Sequence, residues 1–174
     1  MIVCPYCSAD NIEGVDTCEA CGQPLADLHL ATPATPVERA LLADRLRDLA
    51  PKTPIVVNRD ATVNEVLRLL VAKHIGCVFI VDDGRVTGVF SERDALMRLN
   101  VDDVGYGDRR ISKFMTPCPQ SLDDNARVAY AVRLMDQGGY RHVPIVDGDG
   151  KPTGVISVRD ILTYLTEKMT GAEV

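Results

Sequence analysis

The sequence predicts a mixed α/β (α+β) fold made of two β-α-β-β-α repeats, with a small four-cysteine unit in front of them. The repeat is visible by alignment, since residues 61–96 match residues 126–162 with one inserted residue. The closing segments Thr87–Asp94 and Thr153–Asp160 agree at six of eight positions. Strand-like and helix-like patterns recur in the same order in both copies, which indicates a duplicated structural unit.

Size and charge exclude several classes of protein. The chain has 174 residues, and its 19 basic and 25 acidic side chains give a formal net charge of −6. The apolar run Cys77–Val81 is far shorter than the ~20 residues of a membrane span, and no basic stretch leads into an apolar core at the start of the chain. We therefore expect a cytoplasmic protein with no membrane association. The acidic pI near 5.0 disfavours nucleic acid, because its binders gain affinity from Lys and Arg.

Two C-x-x-C pairs stand near the start of the chain, and they comprise Cys4, Cys7, Cys18 and Cys21. A disulfide framework suits them poorly, because the cytosol keeps thiols reduced. The tetrapeptide Cys4–Cys7 resembles the glutaredoxin active site, but a thioredoxin-like fold needs a strand before it and only three residues precede Cys4. Four thiolates in paired turns suit tetrahedral Zn²⁺. We predict a structural zinc site with these four ligands.

Residues 1–25, with their two cysteine pairs, an intervening polar hairpin and a closing Leu25, resemble the short zinc-ribbon module. Such ribbons serve as nucleic-acid readers, protein adaptors or caps. This segment contains four acidic side chains and no Lys or Arg, so its surface repels phosphates. We expect an adaptor or cap, and a nucleic-acid reader is the weaker alternative.

Residues 26–35, rich in Ala, Thr and Pro, predict a linker. A connecting helix is predicted over residues 36–50, because Thr35, Pro36 and Glu38 form a capping-box pattern. Four leucines fall on one face of that helix: Leu41, Leu42, Leu46 and Leu49. This stripe either docks on the body of the protein or packs on a second copy of the chain.

Each repeat begins with a short strand and an amphipathic helix, followed by two strands around a Gly-containing turn and a final helix. The predicted strands are Ile55–Val57, Val78–Val81 and Val86–Phe90 in the first repeat, and Gln120–Leu122, Val143–Val146 and Thr153–Ile156 in the second. Thr62 with Glu65 is predicted to cap the first repeat's amphipathic helix, and Asp123 or Asp124 that of the second. The final helices are predicted to begin at Ser91 and Ser157.

These repeats, with their shared G-h-h-S-x-x-D ending, resemble the tandem cystathionine-β-synthase (CBS) domain pair, or Bateman module. Met115-Thr116-Pro117 and Arg141-His142-Val143-Pro144 also fit that family. The resemblance covers about residues 51–168, and the two repeats are assigned to residues 51–110 and 111–170. It implies that the repeats pack about a pseudo-twofold axis and leave two clefts that commonly hold AMP, ADP, ATP or S-adenosylmethionine. It also implies a regulatory, non-catalytic role and association into a homodimer.

The resemblance implies a set of ligand contacts. Asp94 and Asp160 take the ribose hydroxyls, and Ser91 and Ser157 contact ribose or phosphate. The backbone around Thr53 and Ile55 edges the adenine, while Arg141, His142 and Arg159 reach phosphate groups. Ser-x-x-Asp is also a helix capping box, so the same residues have a purely structural alternative. The first repeat lacks the Arg-His-Val-Pro segment, so we expect unequal sites with the stronger one in the second repeat.

The sequence thus predicts a sensor that binds an adenosine nucleotide and signals by self-association or to a protein partner in trans, with Zn²⁺ as a structural cofactor. The principal alternative is a constitutive dimeric adaptor with no ligand. Nucleic-acid binding through the ribbon is a further, weaker alternative, because no basic patch accompanies it. We do not expect an enzyme, since no Ser/His/Asp set or second metal cluster is visible.

Overall fold

A computed structural model describes residues 2–4, 6–7, 9–12, 14–25, 35–100 and 102–170. The elements are β1 Ile2–Val3, β2 Asp10–Asn11, α1 Pro36–Ala43, β3 Val56–Asn58, α2 Val63–Lys73, β4 Cys77–Asp82, β5 Arg85–Ser91, α3 Glu92–Arg98, β6 Thr116–Pro117, α4 Val128–Gly138, β7 His142–Val146, β8 Pro152–Ser157 and α5 Val158–Thr170. Three 3₁₀ turns lie at Leu46–Leu49, Tyr106–Asp108 and Ile111–Lys113. The fold class is mixed α+β, as predicted. The linker predicted at residues 26–35 lies outside the described residues, apart from Thr35.

The chain forms two compact units, each made of separate stretches of sequence. The terminal unit comprises described residues within 1–50, 123–141 and 156–174, and the central unit comprises those within 51–122 and 142–155. The division falls inside the second repeat, whose helices belong mainly to the terminal unit. The domain boundaries inferred from the repeats stay a prediction.

The central unit contains a four-stranded sheet in the order β3-β4-β5-β6. β3 and β4 are parallel, and β5 is antiparallel to both β4 and β6. β4 is buried over its first four residues because its sequence is continuously apolar. It packs with α2 around a core of Val63, Val66, Leu70, Val78, Ile80, Phe90 and Ile111. Strands β7 and β8 form a separate two-stranded sheet.

Gly88 and Gly154, the glycines of the two G-h-h-S-x-x-D segments, lie where another part of the chain comes close to their backbone. A Cβ on Gly154 would stand 2.7 Å from Cβ of Pro51, next to the bridge between Lys52 and Val155. A Cβ on Gly88 would collide with the Met115 side chain. Both glycines therefore have packing reasons for lacking a side chain.

In the terminal unit, α1 packs on α4 and α5. The capping box of Thr35 and Glu38 is formed as predicted. The single helix predicted over residues 36–50 is wrong, because α1 ends at Ala43 and Asp44 is extended. Backbone bonds to the loop before α4 replace helical ones there. Leu46 N–H donates to Ala126 C=O, and Val128 N–H donates to Asp44 C=O. Leu46 is consequently fully buried, and the leucine stripe is divided between two segments.

Two other predictions in the second repeat are wrong. Gln120–Leu122 is not a strand, since only Leu122 makes a bridge, to Ile145, and the described strand of this region is β6. Asp123 and Asp124 do not cap α4, which begins after Arg127 without a side-chain cap. Asp123 instead accepts the Asn125 N–H in a turn at 2.8 Å. The capping box of Thr62 and Glu65 on α2 is confirmed.

Asp44 joins α1 to α5. Its Oδ2 accepts the Tyr164 hydroxyl at 3.0 Å and lies 2.7 Å from Lys168 Nζ. The hydrogen bond from Lys168 is the main cause that lowers the pKa of Asp44. Because its side chain is 28% exposed and that of Lys168 is 41% exposed, solvent weakens this ion pair.

We expect Asp44→Ala to lower the free energy of unfolding at pH 7 by about 1–2 kcal/mol, since it removes both contacts. A carboxylate with a lowered pKa stabilises the fold above its unfolded pKa of about 3.9 and loses that effect as the pH falls. The difference from wild type should therefore narrow below about pH 4 in urea unfolding. Asp136→Ala, at an exposed position of α4, is the control. Equal stability of the Asp44 variant and wild type at pH 7 would contradict this role.

Candidate functional site

The four cysteines of the two C-x-x-C pairs form one cluster in the terminal unit. Their sulfur atoms all lie within 4.8 Å of one another. The Cys4 and Cys21 sulfurs are 3.7 Å apart, and those of Cys7 and Cys18 are 3.6 Å apart. Tetrahedral Zn²⁺ with bonds of about 2.3 Å places its sulfurs about 3.8 Å apart, whereas a disulfide requires about 2.05 Å. The donor set therefore fits one tetrahedral metal ion.

The backbone around the cluster prepares it for negative charge. Burial opposes ionisation of Cys18, but N–H groups of Cys21 and Ala20 donate to its sulfur and lower its pKa to about 6. Asn11 is 3% exposed and links the two cysteine pairs. Its amide donates to Ala9 C=O at 2.8 Å, and its Oδ1 accepts the Glu19 N–H at 3.0 Å. The polar hairpin between the pairs thus has a structural role.

Two tyrosines lie against this cluster. The rings of Tyr6 and Tyr130 meet edge to face, with centroids 5.6 Å apart. Tyr6 lies between Cys4 and Cys7 in the chain, and its pKa is raised by burial and then by the nearby Asp123 carboxylate. Tyr130 belongs to α4 and is 3% exposed. The cysteine segment therefore docks on the first helix of the second repeat.

The Ser91–Asp94 pair of the first repeat forms a complete capping box on α3. Asp94 Oδ2 accepts the Ser91 N–H at 2.9 Å and the Ser91 hydroxyl at 2.7 Å. Its other oxygen accepts the Thr116 hydroxyl at 3.1 Å and lies 3.3 Å from Arg98 Nε. Both oxygens are engaged, and the side chain is only 12% exposed. A ribose would have to displace one of these partners.

The second repeat has the same box at the start of α5. Asp160 Oδ2 accepts the Ser157 N–H at 2.7 Å and its hydroxyl at 2.5 Å. Arg141 is brought close to this box, because its C=O accepts the Val158 N–H at 3.0 Å. The position matching Arg98 is Tyr164, whose hydroxyl is bonded to Asp44.

The remaining predicted contacts are spread over the chain. Thr53 and Arg159 are exposed, as is Arg141. The Ile55 C=O accepts the Phe79 N–H at 2.9 Å, so this carbonyl belongs to the sheet. His142 lies in the central unit, where a Cβ on Gly76 would stand 2.7 Å from His142 Nε2. The predicted set therefore falls in both compact units, with Arg141, Ser157, Arg159 and Asp160 in the terminal one.

The sequence reasoning missed three partners of these sites. Arg98 was detectable, because an arginine four residues after Asp94 on a helix is positioned for an ion pair. Thr116 belongs to the Met115-Thr116-Pro117 segment that fits the family, but nothing in the sequence pattern predicts that it lies beside Asp94. Tyr130 had no sequence signal, since its proximity to the cysteines arises from tertiary packing.

Among the described residues, no helix has the length and apolarity needed to cross a membrane. The CBS domain family model matches residues 46–101 and 111–167. Residues 1–45, which contain the four cysteines, lie outside both matches.

The chain is 27% identical over 130 residues to an uncharacterized 17.7 kDa protein of Acidianus ambivalens, and the match covers 74% of this chain and 77% of that one. It is 28% identical over 102 residues to the CBS domain-containing protein CBSCBSPB5 of Arabidopsis thaliana, where it covers 59% of this chain and 19% of that one. The chain thus spans only a small part of the Arabidopsis protein.

Solved structures share the fold. The CBS-domain containing protein ATU1752 from Agrobacterium tumefaciens aligns with a TM-score of 0.63 at 27% identity, over 70% of this chain and 98% of that one. The CBS domain pair of MJ0100, solved with 5-methylthioadenosine and S-adenosyl-L-methionine, aligns with a TM-score of 0.63 at 22% identity. The alignment covers 72% of this chain and 98% of that one. CBSX2, solved with AMP, aligns with a TM-score of 0.60 at 24% identity, and the alignment covers 71% of this chain and 96% of that one.

Proposed function

The chain belongs to the CBS domain family, and from this premise we propose that it is a non-catalytic regulatory protein that binds an adenosine nucleotide through its second repeat. A structural zinc ion held by Cys4, Cys7, Cys18 and Cys21 completes the proposal. Structural neighbours support the ligand class, since MJ0100 was solved with S-adenosyl-L-methionine and CBSX2 with AMP.

The observation that carries the ligand proposal is the arginine beside the second capping box, where the Arg141 C=O accepts the Val158 N–H at 3.0 Å at the start of α5. Asp94 uses both oxygens within the protein, and Arg98 neutralises its charge. In the second repeat Tyr164 stands at the position matching Arg98, and Ser157 and Asp160 form the same capping box. A carboxylate can accept both ribose hydroxyls, and the adjacent Arg141 supplies a cation for phosphate. We therefore assign the stronger site to Asp160, Ser157 and Arg141 of the terminal unit, with Arg159 as a further candidate contact there. Thr53, Ile55 and His142 belong to the central unit and stay separate predictions.

The zinc proposal rests on the sulfur spacing, which fits a tetrahedral ion. A bound zinc ion would cross-link the two cysteine pairs. The local core is small, and the hydrophobic side chains buried in it, among the described residues of this segment, are Cys4, Cys18 and Leu25. Such a segment depends on the ion for its stability.

We propose that signalling proceeds through self-association or a protein partner. Exposed apolar side chains on α3 and α5 offer surface for a second copy, and they are Leu96, Met97, Leu162 and Met169. The alternative is a constitutive dimeric adaptor. It is favoured by one observation, namely that both aspartates already cap their helices.

Among the thiols outside the cysteine cluster, burial raises the pKa of Cys77 to about 12, which argues against a nucleophilic role for this residue.

Calorimetry with AMP, ADP, ATP, S-adenosylmethionine and adenosine, and with GTP as a control, tests the sensor proposal. We expect at least one adenosine ligand to bind with a Kd below 1 mM (of the order of −4 kcal/mol), and no binding of GTP at that level. Arg141→Ala should weaken ATP or AMP more than adenosine, since its proposed partner is phosphate. If none of the adenosine ligands binds at millimolar concentration, the sensor proposal is wrong and the adaptor alternative remains.

A further inference from the structure

Tyr130 has a buried hydroxyl whose role neither repeat explains. The residue is 3% exposed, and this hydroxyl has no hydrogen-bond partner of normal geometry among the residues that the structure describes. A buried polar group left without a partner costs about 1–3 kcal/mol. Most buried polar groups are satisfied, so an exception indicates a missing partner.

The surroundings of the hydroxyl identify that partner. The Tyr130 ring meets Tyr6, which directly precedes Cys7. Burial raises the pKa of Tyr130, and the next cause is the neighbouring Cys4 sulfur. Cys4 is itself 0% exposed, so no solvent reaches its sulfur to replace the tyrosine. The buried hydroxyl therefore lies beside the cysteine cluster.

We propose that Tyr130 is a positioning residue for the metal centre, donating its hydroxyl hydrogen bond to the Cys4 thiolate when the cluster holds its ion. A neutral thiol is a weak acceptor, whereas a metal-bound thiolate carries charge and accepts a stronger bond. Donors of this kind orient the ligands and adjust their basicity. The inference rests on the zinc proposal above.

This contact links metal occupancy to the second repeat. Tyr130 lies in the first turn of α4, and α4 leads through Gly139 to Arg141. The Arg141 C=O is bonded to the start of α5, beside the Ser157 capping box. Metal binding thus stabilises the same compact unit that contains the strongest candidate ligand contacts.

The test is Tyr130→Phe, which retains the ring and removes the hydroxyl. We expect its zinc affinity, measured by competition with a chromophoric chelator, to fall about 10-fold. In the cobalt-substituted protein, the sulfur-to-metal charge-transfer band should shift, because the Cys4 thiolate loses a hydrogen bond. Tyr6→Phe is the matched control. It removes the hydroxyl of the other ring in the pair, whose main charged neighbour is the Asp123 carboxylate, so the band should stay in place.

The outcomes separate the two proposals. Wild type that binds no zinc would overturn the metal site itself. Wild type that binds zinc, with unchanged affinity and cobalt spectrum in Tyr130→Phe, would overturn the role of Tyr130 alone. Should Tyr130→Phe fail to fold, 3-fluorotyrosine at position 130 preserves the shape and strengthens the donor. Its cobalt band should then differ from that of wild type, and an identical band would contradict the hydrogen bond.

Discussion

Cys18→Ser should abolish stoichiometric zinc binding, so that the purified variant contains far less than the one zinc ion per chain expected of wild type. Cys18 is 2% exposed, and its sulfur lies 3.6 Å from that of Cys7 within the cluster. A serine oxygen is a poor replacement in an all-sulfur site. Residues 2–25 should lose protection in hydrogen exchange, because their core is too small to persist alone.

Cys118→Ser is the matched control, since Cys118 is exposed and lies outside the cluster. It should retain zinc at the wild-type level. Chelation of the wild-type protein should reproduce the exchange pattern of Cys18→Ser, while the core strand β4 stays protected. A metal-free wild type with a Cys4–Cys7 disulfide that cycles with glutathione would refute the zinc site and favour the redox alternative.

Asp160→Ala should weaken adenosine-nucleotide binding about 10- to 100-fold, because charge-assisted hydrogen bonds worth about 1.5–3 kcal/mol are lost. The same substitution removes the cap of α5, at a further cost of about 1 kcal/mol in stability. Binding must therefore be measured directly by calorimetry, at a temperature where circular dichroism shows the variant to be folded.

Asp94→Ala is the internal control for this experiment. It removes an equivalent cap from α3, but its carboxylate is already bonded to Thr116 and Arg98. We expect a smaller change in affinity than for Asp160→Ala. Equal affinity in wild type and Asp160→Ala would remove this residue from the site, and a larger loss in Asp94→Ala would move the site to the first repeat.

Features encoded by neighbouring residues could be predicted from the sequence. The capping boxes of Thr35 and Thr62 are formed, because each needs only a hydroxyl and a carboxylate three positions apart. The cysteine cluster is formed for a related reason, since each C-x-x-C turn presents its two sulfurs locally. The order of strands and helices followed from the repeat, except for the strand predicted at Gln120–Leu122 and the short β6.

Features decided by distant residues could not be predicted. The pattern of leucines favoured one helix through residue 50, but Asp44 and Leu46 bond to the loop around Ala126. The same loop explains why Asp123 does not cap α4, since its carboxylate accepts the Asn125 N–H in a turn. Arg98 shows the same limit, because helical spacing places it near Asp94 but does not reveal that Thr116 joins them.

The contact between Asp44 and Tyr164 joins residues 120 positions apart in the chain, and this separation bears on how the protein assembles. At a synthesis rate of about 5–20 residues per second, the N-terminal segment waits roughly 6–24 s for α5 to emerge. The cysteine ligands need no such delay, because Cys4 and Cys21 are only 17 positions apart. We therefore expect metal capture to occur early on the ribosome, and the terminal unit to close around a segment that is already ordered.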